Sequence, residues 1–283
     1  MGKKTAWIFF LCPSFTGVLI FVICPFADVV RRSFLTAMTG QFVGIENYRM
    51  IFQNTAFRTA VRNTVLFTFF CIPLMVALGL AIALALSEIR HIRFVKSLYL
   101  FPMAMPTAAI AIVWKMLFYE QGFFNKYLLQ AAGGGNTQRA PADYLGTGAA
   151  FFLLAATYIW KNLGYTIVLW LAGIMGINEE MLEAAKVDGA GRVQRLIYIL
   201  LPGLRGSMYT IVVLSFLNSF KIYREAYLVA GAYPHESIYM LQHLFNNWFV
   251  NLDLDKMAAA AVVCGAVFAA GIWLLQKGWG SDE

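Results

Sequence analysis

Charge is scarce in this chain. Charged residues are 13% of 283, where a soluble domain carries about 25%. Hydrophobic residues reach 60%, against about 45–50% in soluble domains. Both departures point away from a water-soluble enzyme, and the high hydrophobicity also excludes a disordered chain. Cysteine is sparse and unpaired in pattern. Cys12, Cys24, Cys71 and Cys264 lie inside apolar runs with no CxxC spacing, which argues for buried small hydrophobes and against a disulfide framework or zinc site. His91, His235 and His243 are scattered without ligand spacing, so no metal site is expected. Also missing is a glycine-rich stretch ending in Gly-Lys-Ser/Thr, the cradle for nucleotide phosphates. No Ser/His, paired-Asp or HExxH constellation suggests catalysis.

What is present is apolar length. A membrane helix needs about 20 apolar residues. Six segments meet that need: Trp7–Val30, Val65–Leu86, Leu98–Phe118, Ala149–Gly173, Ser207–Val229 and Met257–Leu275. The expected fold is therefore an all-α integral membrane protein with six transmembrane helices. Lys3 and Lys4 precede the first run in the manner of a signal peptide. That run is long for one and lacks an A-x-A cleavage site, so it reads as an uncleaved span. The third span contains Pro102 and Pro106, bends that a bundle tolerates when neighbours re-satisfy the freed backbone groups. The fifth is the weakest, because Lys221, Arg224 and Glu225 fall in its second half.

The loops differ in character. Residues 31–64 are polar and arginine-rich, Ser87–Lys96 is a short basic hinge, and Gly133–Gly148 reads as a flexible connector. The chain divides on this reading into 1–64, the first helix with its loop, and 65–283, a five-helix core. Basic residues do not settle orientation, since both sets of loops carry similar numbers. The net charge of +7 suits loops beside anionic lipid rather than a nucleic-acid surface. The spans contain hardly any acidic residues, whereas ion-coupled transporters keep ionisable groups near the midplane. A secondary transporter of a small polar solute is thus the weaker alternative.

Residues 177–206 are long, mixed in charge and helical in pattern, yet too polar to span. Asn178 is a good N-cap, and Glu179 and Glu180 complement the positive helix end. Gly189 and Gly191 supply a turn, and Pro202 marks the end of a second short helix. Ala184 and Ala185 beside Glu183 make a compact face suited to docking.

This segment carries a family resemblance. Glu183-Ala184-Ala185, three residues, Gly189, nine residues, then Ile199-x-Leu201-Pro202 resembles the EAA motif of binding-protein-dependent ABC importer permeases at every position. Gly44-x-x-Asn47-Tyr48, Asn63-Thr64, Leu100-Phe101-Pro102 and Asp188-Gly189-Ala190-Gly191 are similar to the carbohydrate-uptake branch, the MalF/UgpA-like sugar permeases. The resemblance implies the type I importer permease architecture in a bacterial or archaeal cytoplasmic membrane. It implies a cytoplasmic loop whose Glu183, Ala184, Ala185, Asp188 and Gly189 couple to an ATPase. With six spans, both termini are then cytoplasmic. The implied partners are a second permease of similar fold, two ATPase subunits, an extracytoplasmic binding protein and a carbohydrate solute. This chain would be non-catalytic and bind no cofactor, with ATP and magnesium held by the ATPase. A non-sugar solute such as glycerol phosphate stays open.

Two polar stripes are candidates for the solute path. Tyr158, Asn162 and Tyr165 fall at i, i+4 and i+7 in the fourth span. Ser215, Asn218, Ser219 and Ile222 fall at i, i+3, i+4 and i+7 in the fifth. Such groups should face protein or a water-filled path. They either line the path, pairing with sugar hydroxyls and stacking on the sugar ring, or form ordinary interhelical hydrogen bonds. Lys161 and Lys221 either snorkel or recognise an acidic sugar.

Overall fold

The computed structural model describes residues 3–87, 92–131 and 143–279. Parts of the basic hinge and of the glycine-rich connector, with His91, lie outside the described residues. The described elements are helical. They are α1 (Lys3–Val18), α2 (Cys24–Arg32), α3 (Glu46–Gln53), α4 (Thr55–Ser87), α5 (Ile92–Ala104), α6 (Thr107–Phe118), α7 (Phe123–Ala131) and α8 (Ala149–Met175). After them come α9 (Glu179–Val187), α10 (Arg192–Arg195), α11 (Leu201–Gly203), α12 (Arg205–Ser219), α13 (Tyr223–Ala230), α14 (Leu241–Val250) and α15 (Leu254–Trp279).

Among these, four helices are long and apolar enough to cross a bilayer alone: Leu11–Arg32, Thr55–Ser87, Ala149–Met175 and Leu254–Gly278. Two bent pairs bring the number to six. Leu98–Ala104 and Thr107–Tyr127 meet at 96°, and Arg192–Gly203 and Arg205–Ala230 at 67°. The third span is thus sharply broken rather than gently bent. Pro102 stays within α5, and the break falls at Met105 and Pro106, where extended backbone caps α6. Pro106 disfavours helical backbone at the residue before it, so the helix stops there. The fifth span is broken at Leu204, one residue past Gly203.

Pro202 does not itself end a helix. It follows a widened, π-type turn at Leu196–Leu200, where the Leu201 N–H donates to the Leu196 carbonyl. The first span has the same arrangement. Leu19–Ile23 is widened, Cys24 N–H donates to the Leu19 carbonyl, and Pro25 follows. A proline ring clashes with the carbonyl four residues back, and the extra residue in the turn moves that carbonyl aside.

The chain clusters into two compact units, Met1–Arg58 with Leu244–Gly271 and Thr59–His243 with Ile272–Glu283. In the first unit, the segment after α2 is organised by one buried amide. Asn47 Nδ2 donates to the carbonyls of Ser33 and Leu35, both at 2.9 Å. The Tyr48 hydroxyl lies 2.6 Å from Ser33 Oγ, which donates to the Val30 carbonyl. Gly44 turns the chain with φ +60°. The Gly44-x-x-Asn47-Tyr48 pattern therefore has a local cause: it ties a loop back to the end of α2. Asn47→Leu removes the donor to the buried Ser33 carbonyl and the half-buried Leu35 carbonyl, and stranding the buried one costs about 1–3 kcal/mol. A clear fall in the melting temperature of the detergent-solubilised protein is expected, and an unchanged one would contradict this role.

In the second unit, α5 and α12 pack on α8, and α13 packs on α6. One core cluster centres on Phe67, Cys71, Met75, Leu154 and Tyr158. Another gathers Ala83, Leu86, Ile167, Trp170, Leu204 and Ile211. Close approach depends on small residues, as between membrane helices generally. A Cβ on Gly164 would collide with the backbone carbonyl of Tyr99, so α5 can lie on α8 only where a glycine stands.

His243 is fully buried, edge-on to Tyr223 at 4.7 Å, and its Nδ1 accepts from the Met240 N–H at 3.3 Å. Burial pushes its pKa down from 6.5 to about 4. The folded state therefore holds fewer protons than the unfolded state between these values. Stability is full above 6.5 and falls as pH drops toward 4. Thermal melts across that interval should show this slope, and His243→Gln should flatten it.

Candidate functional site

The loop joining the fourth and fifth spans is defined by its caps. The Asn178 side chain accepts from the Glu180 N–H at 2.9 Å and starts α9. At the other end, the Gly189 N–H donates to the Lys186 carbonyl at 3.1 Å. The Ala190 N–H donates to the Ala185 carbonyl at 2.9 Å. These paired bonds form a Schellman cap with glycine in the left-handed position, here at φ +80°. The Gly191 N–H then donates to the Gln194 side chain at 2.8 Å, starting α10. Glu183, Ala184, Asp188 and Gly189 are exposed, and Ala185 is half-buried. Met181, Val187, Val193 and Tyr198 are also exposed, Val187 at 88%. The loop thus exposes large apolar side chains beside its charged ones.

The two polar stripes face each other across α8 and α12, but only part of them opens on a cavity. The Tyr158 hydroxyl donates to the Ser215 carbonyl at 2.6 Å, and the Tyr165 hydroxyl lies 2.9 Å from Ser215 Oγ. Ser219 Oγ donates to the Phe216 carbonyl at 2.7 Å. Tyr165, Ser215 and Ser219 are thus tied up in buried interhelical and local bonds and do not line the cavity. Bonds of this kind contribute about 0.6–2 kcal/mol each.

Tyr158, Asn162, Asn218 and Ile222 do line it. The cavity holds about 160 Å³, and its wall continues with Met103, Thr107, Lys161, Lys221, Arg224 and Glu225. Asn162 Nδ2 donates to the Tyr158 carbonyl at 2.8 Å. Lys161 Nζ pairs with Glu225 Oε1 at 2.5 Å, and the side chains are 19% and 5% exposed. Thr107 Oγ1 approaches the same oxygen at 3.5 Å. Lys221 Nζ donates to Asn218 Oδ1 at 3.0 Å. Each uncompensated charge at the centre of a membrane helix costs about 2.5–3.5 kcal/mol on insertion scales. Four charged groups, two of them paired with each other, are gathered on this one cavity.

Sequence reasoning missed Thr107, Arg224 and Glu225 as wall residues. The signal was there: Lys221, Arg224 and Glu225 weakened the fifth span as an apolar run. That same sparse charge inside a span is what a polar path requires.

Comparison with known proteins decides the class. Residues 75–276 match the family described as binding-protein-dependent transport system inner membrane component. The chain belongs to this family. The permease is 31% identical over 304 residues to the diacetylchitobiose uptake system permease protein of Streptomyces coelicolor, covering 99% of this chain and 85% of that relative. It is 29% identical over 246 residues to the trehalose/maltose transport system permease protein of Thermococcus litoralis, covering 84% and 81%. It is 26% identical over 289 residues to the sn-glycerol-3-phosphate transport system permease protein of Pectobacterium atrosepticum, covering 96% and 94%. Its fold matches a solved bacterial ABC transporter involved in the import of the acidic polysaccharide alginate. There the TM-score is 0.78 at 21% identity, with 97% of this chain and 95% of that chain covered. The permease is an all-α membrane subunit with the importer-permease fold.

Proposed function

We propose that this permease forms one half of the membrane channel of an ATP-driven importer for a carbohydrate. A second permease of similar fold supplies the other half, two ATPase subunits bind at the loop 177–206, and an extracytoplasmic binding protein delivers the solute. ATP and magnesium are held by the ATPase, and this chain binds no cofactor. One observation carries the reading: the loop between the fourth and fifth spans is a capped helix, a left-handed glycine turn and a second helix, all exposing small and apolar residues. Such a capped, exposed segment suits docking on a partner, and the chain that carries it belongs to a family of transport-system components.

Glu183, Ala184, Ala185, Asp188 and Gly189 are the coupling residues in this reading. In this reading the loop is cytoplasmic, and with six spans both termini then lie on the same side as the loop. The solute passes along Tyr158, Asn162, Asn218 and Ile222, with Tyr165 and Ser215 holding α12 against α8 behind them, and Ser219 bonded within α12. The carbohydrate reading is supported by the sugar-uptake relatives and by a wall that brings the Asn162 and Asn218 amides and the Thr107 hydroxyl together.

Co-purification tests it. Expressed with its neighbouring transport genes, the tagged chain should bring down one second permease and two ATPase subunits in stable ratio. A stable, transport-active chain without any ATPase would overturn the proposal and restore a secondary transporter.

A further inference from the structure

The charges on the cavity do not balance. Its wall carries three cations, Lys161, Lys221 and Arg224, and a single carboxylate, Glu225. Glu225 is committed to Lys161, and both are largely buried. Lys221 reaches only the neutral Asn218 oxygen. Among the described residues no carboxylate pairs with Lys221 or with Arg224, although both side chains are exposed at the cavity rim. Two cations held without counter-charge in a membrane span imply a partner that arrives from elsewhere.

We propose that Lys221 and Arg224 form an anion-recognition subsite on the solute path, so that the solute is a sugar derivative bearing a carboxylate, sulfonate or phosphate group. This rests on reading the cavity as part of the path. The chemistry is divided across the wall. Arg224 offers a planar fork suited to a two-oxygen anion, and Lys221 a point charge. Asn162, Asn218 and Thr107 supply neutral groups for hydroxyls. The Lys161–Glu225 pair keeps the third cation from competing. Lys221 is three residues before Arg224, and the helix turn between Phe220 and Ile222 is tightened. At that spacing both project to one side of the chain.

The test uses the assembled transporter in nanodiscs without binding protein, so that selection by the delivering protein does not mask the channel. Three probes are titrated: a uronate-containing disaccharide, the same disaccharide with its carboxylate reduced to the alcohol, and glycerol phosphate. Charge-assisted contacts predict roughly ten- to hundredfold tighter binding of the uronate than of its neutral twin. Raising salt should weaken this preference. Lys221→Gln with Arg224→Gln should abolish it, while Lys221→Arg should keep it. Equal binding of the two disaccharides, or a preference that survives the double variant, overturns the anion subsite and leaves the sugar reading standing. Binding of glycerol phosphate alone, lost in the double variant, upholds the subsite and overturns the sugar. Binding of none of the three overturns both. Loss of the second permease from the double variant during purification would assign the cations to the subunit interface and overturn the proposal.

Discussion

Gly189→Pro is expected to abolish substrate-stimulated ATP hydrolysis while leaving membrane insertion and pairing with the second permease intact. Gly189 sits at φ +80°, and proline is locked near −65°. Proline also deletes the N–H that donates to the Lys186 carbonyl. The end of α9 must then unwind, and the angle between α9 and α10 is lost. Side-chain substitutions separate backbone from bulk. A Cβ at Gly189 meets open space, so Gly189→Ala costs only the left-handed conformation, about 1–2 kcal/mol. Gly189→Asn, which tolerates that conformation, should be close to wild type. The order Gly, Asn, Ala, Pro in stimulated turnover would identify the turn itself as the coupling element. Glu183→Ala should be milder, because it removes one charge from an intact helix. Wild-type stimulation in Gly189→Pro would show that force passes elsewhere.

The second large effect is expected at the Lys161–Glu225 pair. Truncating one partner of a buried ion pair leaves a charge without compensation and costs about 3–5 kcal/mol. Lys161 reaches the cavity, where water screens it, so the lower end of that range applies to Glu225→Ala. Replacing both partners by apolar residues of similar size, Lys161→Met with Glu225→Leu, should recover most of the loss. Thermal unfolding of the wild type, Lys161→Met, Glu225→Leu and the double variant closes a double-mutant cycle and measures the coupling directly. The pair links α8 to α13, and Thr107 on α6 approaches it. A single loss should therefore also loosen the cavity wall. Equal and additive losses in the two single variants would show that the pair is a solvated contact without structural weight.

Which features were legible in the sequence follows from how local their physics is. The loop 178–192 was readable residue by residue, because an N-cap, a left-handed glycine and a following helix start each act within a few positions, whereas the widened turn before Pro202 was not. The spans were readable because lipid demands apolar length. The site of each break was less so. Pro102 is accommodated within α5, whereas the helix stops at Met105 and Pro106. The break at Leu204 carries no marker of its own beyond the neighbouring Pro202 and Gly203. Helical spacing placed Tyr158, Asn162 and Tyr165 on one stripe, and they do share it. Tyr165 nevertheless bonds Ser215 while Asn162 opens on the cavity. That division depends on where α12 crosses α8, which spacing along one helix does not contain. The Lys161–Glu225 pair joins residues 64 apart in the chain, so each looked like a lone charge within its own span.

In the proposed importer this chain conducts a carbohydrate only when coupled to ATP hydrolysis and to a delivering protein. The decisive measurement is uptake of a radiolabelled sugar into proteoliposomes containing the full assembly. The expected result is accumulation that requires both ATP on the loop side and loaded binding protein on the other, and that is indifferent to proton and sodium gradients. Accumulation driven by an ion gradient in liposomes holding this chain without ATPase would contradict it.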